Sequence, residues 1–142
     1  MRDNPGSVQR SFRLSPRTID LLDEAATEGG ESRNALADRL LGEALRLQRH
    51  PLIRFHQGAA GRRQPLIVGT RLHVHQVMSS VRSSQGDVAQ VAEYLGIPPR
   101  LVHAAVAYYA EFSDEVDEDA ATAERVERSE LDRWERQQRA LA

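Results

Sequence analysis

Gln9, Ser11 and Arg13 in "VQRSFRL" share one parity near the start of the chain, and Val8, Phe12 and Leu14 share the other. In an extended segment successive side chains point to opposite faces, so this spacing predicts a strand with a polar, basic face and an apolar one. The polar set has the chemistry to read base edges, because Gln pairs with adenine, Arg with guanine and Ser with either. The plainer alternative is that the three merely solvate an exposed strand face. A second candidate is "LHVH", where His73 and His75 invite a metal reading. Against it, the chain has no cysteine, and "HVHQVMSSV" predicts a helix, on which residues two apart diverge. No metal site and no cofactor are therefore expected. The five histidines (50, 56, 73, 75 and 103) form no catalytic spacing, and neither a Gly-rich phosphate loop nor a metalloprotease helix is present, so no enzymatic activity is expected.

The elements that must carry the first set follow at once. Ser15 is an N-cap with Pro16 at the first helical position, Ile19, Leu22 and Ala26 fall on one face, and Gly29-Gly30 ends the helix. Ser32 caps a second helix in which Leu36, Leu40, Ala44 and Leu47 line one face and Ala37, Leu41 and Leu45 widen it. A unit of one strand and two helices leaves the strand's backbone groups unpaired and buries too little apolar surface to offset chain entropy. Two copies solve both problems, with an antiparallel ribbon covered by four helices, so a homodimer or a higher even oligomer is expected.

The order "RSFRLSP" into "ESRNALADRLLGEAL" resembles the ribbon-helix-helix DNA-binding proteins over residues 7–49. The resemblance implies that the ribbon enters the major groove with Gln9, Ser11 and Arg13 as base readers. Ser32, Arg33 and Asn34 begin the second helix, whose free N–H groups suit a DNA phosphate.

Charge is uneven along the chain. Residues 1–63 hold eleven arginines against eight acids, residues 64–113 three of each, and residues 114–142 five arginines against ten acids. The first part suits a polyanion and the last does not. There is neither a long apolar run nor the apolar centre of a signal peptide, so no membrane association and a cytoplasmic location are expected.

From His50 the pattern changes. "PLIRFHQ" and "QPLIVG" around "GAAGRR" predict a β-hairpin, followed by helices in "VHQVMSSVRSS", "DVAQVAEYLG" and "PPRLVHAAVAYYAEF". Gly69, Thr70 and Arg71 read as the turn before the first of these, with Arg71 tying down a helix end. Arg100 and His103 offer thin positive charge for a DNA groove, so packing or partner binding is favoured for the last two helices. "PLIVGTRLHVHQV" with "VAQVAEYLGIPPRLVHAAVAYYAEFSDEVD" resembles the family catalogued as domain of unknown function 433 over residues 50–118. Such domains look helix-turn-helix-like and are frequent in antitoxins, including VapB-like ones, which implies a partner toxin, often a PIN-like ribonuclease.

Residues 119–142 read as a charged C-terminal helix in which Glu124–Arg128, Asp132–Arg136 and Glu135–Arg139 are i,i+4 pairs. Its apolar side is sparse: Val126, Leu131, Trp134 and Leu141. Either Trp134 packs on its own domain, or the segment orders on a toxin, with Trp134 as anchor and Arg133, Arg136 or Arg139 reaching an acidic nuclease site.

The fold expected is thus mainly α with short β: a ribbon-helix-helix unit, a hairpin plus helix-turn-helix-like domain, and a terminal helix. The function expected is an antitoxin that binds operator DNA as a dimer, neutralises a cognate toxin and represses its own operon. The rivals are a free-standing repressor with a ligand- or metal-sensing second domain, and an adaptor whose ribbon serves only for dimerisation.

Overall fold

A computed structural model describes residues 6–142 of the chain, which is mainly helical with one two-stranded antiparallel sheet. The described residues form two compact units, the first ending at Glu43 and the second running from Ala44 to Ala142. Helix α1 (Pro16–Gly29) starts where Ser15 Oγ accepts from the Thr18 N–H at 3.2 Å and stops at Gly30, left-handed at φ 66°. Only glycine adopts that conformation without strain, which is why the helix ends there. Helix α2 (Arg33–Arg49) is capped by Ser32 Oγ, which accepts from the Ala35 N–H at 3.1 Å, and it passes from the first unit into the second.

The second unit opens with the expected hairpin, β1 (Ile53–Gln57) and β2 (Arg63–Ile67), joined through a 3-10 turn at Ala59–Gly61. The register sets Ile53 against Ile67 and His56 against Gln64. Gly58 is needed in this loop because a Cβ there would collide with the side chain of Gln64, which is buried and has little room to yield. Gly69 is left-handed, and Thr70 closes the following turn by donating to the Ile67 carbonyl and accepting from the Leu72 N–H. Arg71 departs from expectation: it ties down no helix end, and its exposed side chain makes no hydrogen bond or ion pair among the described residues. The hydroxyl of Thr70 already closes the turn.

Helices α3 (Val74–Ser83), α4 (Val88–Leu95) and α5 (Pro99–Leu141) complete the unit, with Asp87 capping α4 and Gly96 ending it. Their core is Ile53, Ile67, Val74, Val77, Val91, Val102, Ala105, Tyr108 and Val116, all essentially inaccessible. No glycine or proline follows Pro99, so helix α5 has no breaker and runs 43 residues with one non-helical residue, Phe112 (φ −127°, ψ 38°). The C-terminal helix expected over residues 119–142 is continuous with the helix before it, and Val116, Asp119 and Thr122 are buried there. Among the described residues, no helix is long and apolar enough to cross a membrane.

Candidate nucleic-acid interface

Residues 8–14 take no helical or strand conformation in the single chain, where no second strand faces them. Gln9, Ser11 and Arg13 are exposed, and none makes a side-chain hydrogen bond or ion pair among the described residues. The apolar set of the segment is exposed as well, with Val8 at 71%, Phe12 at 73% and Leu14 at 48%. Ile19, Leu21, Leu40 and Leu41 of the same unit are also exposed, and among its described residues the only buried hydrophobic side chains are Ala26 and Leu36. Isolated exposed apolar residues need no explanation, but a small unit that leaves most of its large ones bare has an incomplete core.

The predicted phosphate residues meet a mixed environment. Ser32 and Arg33 line an open groove between α1 and the start of α2, together with Asp23, Thr27 and Glu31. The Arg33 guanidinium lies 3.3 Å from Asp23 Oδ1, and Arg39 pairs with Glu31. Asn34 is exposed. Two carboxylates therefore share the groove with the helix N-terminus, and Arg33 must exchange Asp23 for a phosphate if it is to contact one.

The other expected contact residues lie far along α5. Leu131 and Trp134 are 52% and 56% exposed, Arg133, Arg136 and Arg139 are exposed, and Val126 is half-buried. Trp134 thus does not pack into the core of its own unit. The three i,i+4 pairs read from the sequence are not closed, as expected where solvent competes for side chains worth only about 0.3–0.5 kcal/mol per pair.

The ion pairs that do form in the second unit connect elements remote in sequence. Arg46 reaches Glu115 at 2.7 Å, Arg49 reaches Glu111 at 2.9 Å, and Arg82 reaches both Asp117 and the Tyr109 hydroxyl. Arg62 binds Glu118 and the buried Asp119, whose pKa is raised by burial while the Arg62 hydrogen bond and charge oppose the rise. Four of the ten acids of residues 114–142, Glu115, Asp117, Glu118 and Asp119, are thus engaged with arginines of their own unit. His50, buried against Tyr108 and Phe112, faces Glu111 at 3.2 Å.

The histidines also differ from expectation. His73 is the N-cap of α3, with extended backbone (φ −74°, ψ 149°), so the divergence of helical residues two apart does not apply to it. Its ring lies 5.2 Å from His75 and 5.9 Å from His56 of β1, between centroids. Among the described residues, no group of three metal-ligating side chains is arranged to hold an ion. Burial first, and the neighbouring His73 second, lower the pKa of His75 below its ordinary 6.5. The folded chain then binds fewer protons at this site than the unfolded one. The stability contributed is full above the unfolded value and is lost as pH falls through the lowered folded value. Melting of the second unit is expected at a lower temperature near pH 5.5 than near pH 7.5, and His75→Gln is expected to flatten that difference by calorimetry. An unchanged pH dependence in the variant would rule out His75 as its source.

No protein-family model, curated protein or solved structure matches the chain.

Proposed function

We propose that the chain is a dimeric, DNA-binding antitoxin, in which two copies of residues 7–49 join as a ribbon-helix-helix unit and the later parts bind and neutralise a toxin. The observation that carries the first half is the bare apolar face of the first unit. Val8, Phe12, Leu14, Ile19, Leu21, Leu40 and Leu41 need a cover that their own helices do not supply. A second copy supplies it and gives residues 8–14 a strand partner. The opposite parity then presents Gln9, Ser11 and Arg13 outward, with the donors and acceptors that base edges require. The dimer binds an operator, and the complex with the toxin represses its own genes.

The toxin half rests on the resemblance of residues 50–118 and is supported by the exposed end of α5. Trp134 on a solvated helix is the kind of anchor that dominates interfaces. The test is a tagged pull-down from the native cell with the intact chain and with a chain ending at Val126, which keeps the buried Asp119 and Thr122 in place. A nuclease-like protein retained by the intact chain and lost from the shortened one is the expected result. Retention by both would move the toxin interface to the second unit. Retention by neither, with DNA binding intact, would favour the free-standing repressor.

A further inference from the structure

The acids of the second unit are distributed as unevenly as those of the whole chain. Residues 44–86 contain no Asp or Glu, but seven arginines and four of the five histidines. Four of those arginines, 46, 49, 62 and 82, are held by carboxylates of α5. Arg54 and Arg71 are not. Both are exposed, with no hydrogen bond or ion pair among the described residues.

The hairpin places Arg54 beside the histidines, and Arg71 lies two residues before His73 in the chain. Arg54 stands opposite Leu66 and His56 opposite Gln64, and Leu66 in turn bridges to His73. Directly opposed residues of antiparallel strands point to the same side. Arg54, His56 and His73 therefore share one face, while Ile53 and Ile67 turn into the core. The ring separations of 5.9 and 5.2 Å join His56, His73 and His75 in a continuous row on that side. Two polar atoms beneath it lack partners: the buried Nε2 of Gln64 and the Nε2 of His73. Gln76 Oε1 accepts from the His73 backbone N–H at 2.9 Å and lies 3.3 Å from Nδ1, which fixes the ring beside that of His75. Guanidinium groups and imidazole N–H donors with no carboxylate paired to them among the described residues match one ligand chemistry, the phosphate oxygens of a polyanion.

We propose that the outer face of the hairpin and the first turn of α3, with Arg54, Arg71, His56, His73 and His75, form a second nucleic-acid surface that grips the phosphate backbone of DNA without reading its sequence. It is independent of the ribbon and supplies affinity where the ribbon supplies choice of site. The surface is on a different unit from Gln9, Ser11 and Arg13, so the two can be removed separately.

The experiment is fluorescence anisotropy of the full chain on a labelled mixed-sequence duplex over a range of salt. Each lost phosphate contact lowers the slope of log affinity against log salt by about 0.9, so Arg54→Ala with Arg71→Ala should lower it by about 1.8. Arg125→Ala with Arg128→Ala removes equal charge from exposed positions of α5 and should leave it unchanged. A chain with Gln9, Ser11 and Arg13 all replaced by Ala should retain salt-dependent binding to this duplex. The proposal is overturned if the slope is unchanged in the first variant, if it falls equally in the α5 variant, or if the ribbon variant binds no DNA. Binding lost with the ribbon alone would leave the ribbon reading standing. Binding lost with Arg54 and Arg71 alone would instead remove the ribbon from DNA contact.

Discussion

Phe12→Ala is expected to convert the proposed dimer into a monomer and to abolish the proposed operator binding with it. In one chain the ring is 73% exposed and touches little, so a purely monomeric protein would lose almost nothing by the change. In the paired arrangement the same ring is the largest side chain of the ribbon's apolar face, and truncating a buried Phe costs about 3–5 kcal/mol. Each protomer carries that loss, and every 1.4 kcal/mol is about tenfold in an equilibrium constant, so dimer dissociation should rise by a factor of about a thousand or more. Sedimentation at a series of concentrations checks it. An unchanged mass would mean that Phe12 lies outside the interface.

The second large effect concerns the unit that carries α5. Tyr108→Ala removes a fully inaccessible ring packed edge-on against His50 and Phe55 and 4.8 Å from Phe112. The loss is expected to fall near about 3–5 kcal/mol, a large fraction of the stability of a domain of this size. The ring also backs the interruption of α5 at Phe112, against which Arg46 stacks at 4.7 Å. Thermal melts followed by circular dichroism should show the second unit unfolding at much lower temperature. Leu131→Ala, on the exposed end of the same helix, should leave the melt nearly unchanged. Equal effects from both substitutions would contradict the assignment of the core.

Much of the local architecture was legible in the residues because its causes are local. Ser15, Pro16 and Gly30 bound α1, Ser32 starts α2, Gly96 and Pro98 separate α4 from α5, and the two apolar runs around "GAAGRR" pair as a hairpin. The candidate interface is less legible: parity assigned Gln9, Ser11 and Arg13 to one face, but residues 8–14 take no strand conformation in the single chain and both sets of side chains are exposed. What sequence spacing did not reveal depends on contacts between distant residues. Arg46 meets Glu115 and Arg62 meets Asp119 across long stretches of chain, and nothing in the neighbourhood of either names its partner. The acidic run of residues 114–119 belongs to a packed helix because arginines from α2, the hairpin loop and α3 converge on it.

The histidines show how one misplaced boundary changes a chemical conclusion. Counting His73 as helical separates it from His75, whereas as an N-cap in extended conformation it brings the rings together, and β1 adds His56. A signal was present in the sequence: a stretch of 43 residues without a single acid, whose positive charge had to be met by another part of the chain or by a ligand. Helix α5 meets part of it, and Arg54 and Arg71 remain.

The central claim, that an apposed pair of these chains reads DNA through residues 8–14, is tested most directly by selecting duplexes from a randomised library with the full chain and with Arg13→Ala. The account predicts that the unaltered chain enriches a two-fold symmetric pair of half-sites, as a symmetric dimer requires, and that the variant loses the preference at the base Arg13 contacts. Enrichment of the same sequence by both, or of none by the unaltered chain, would contradict it.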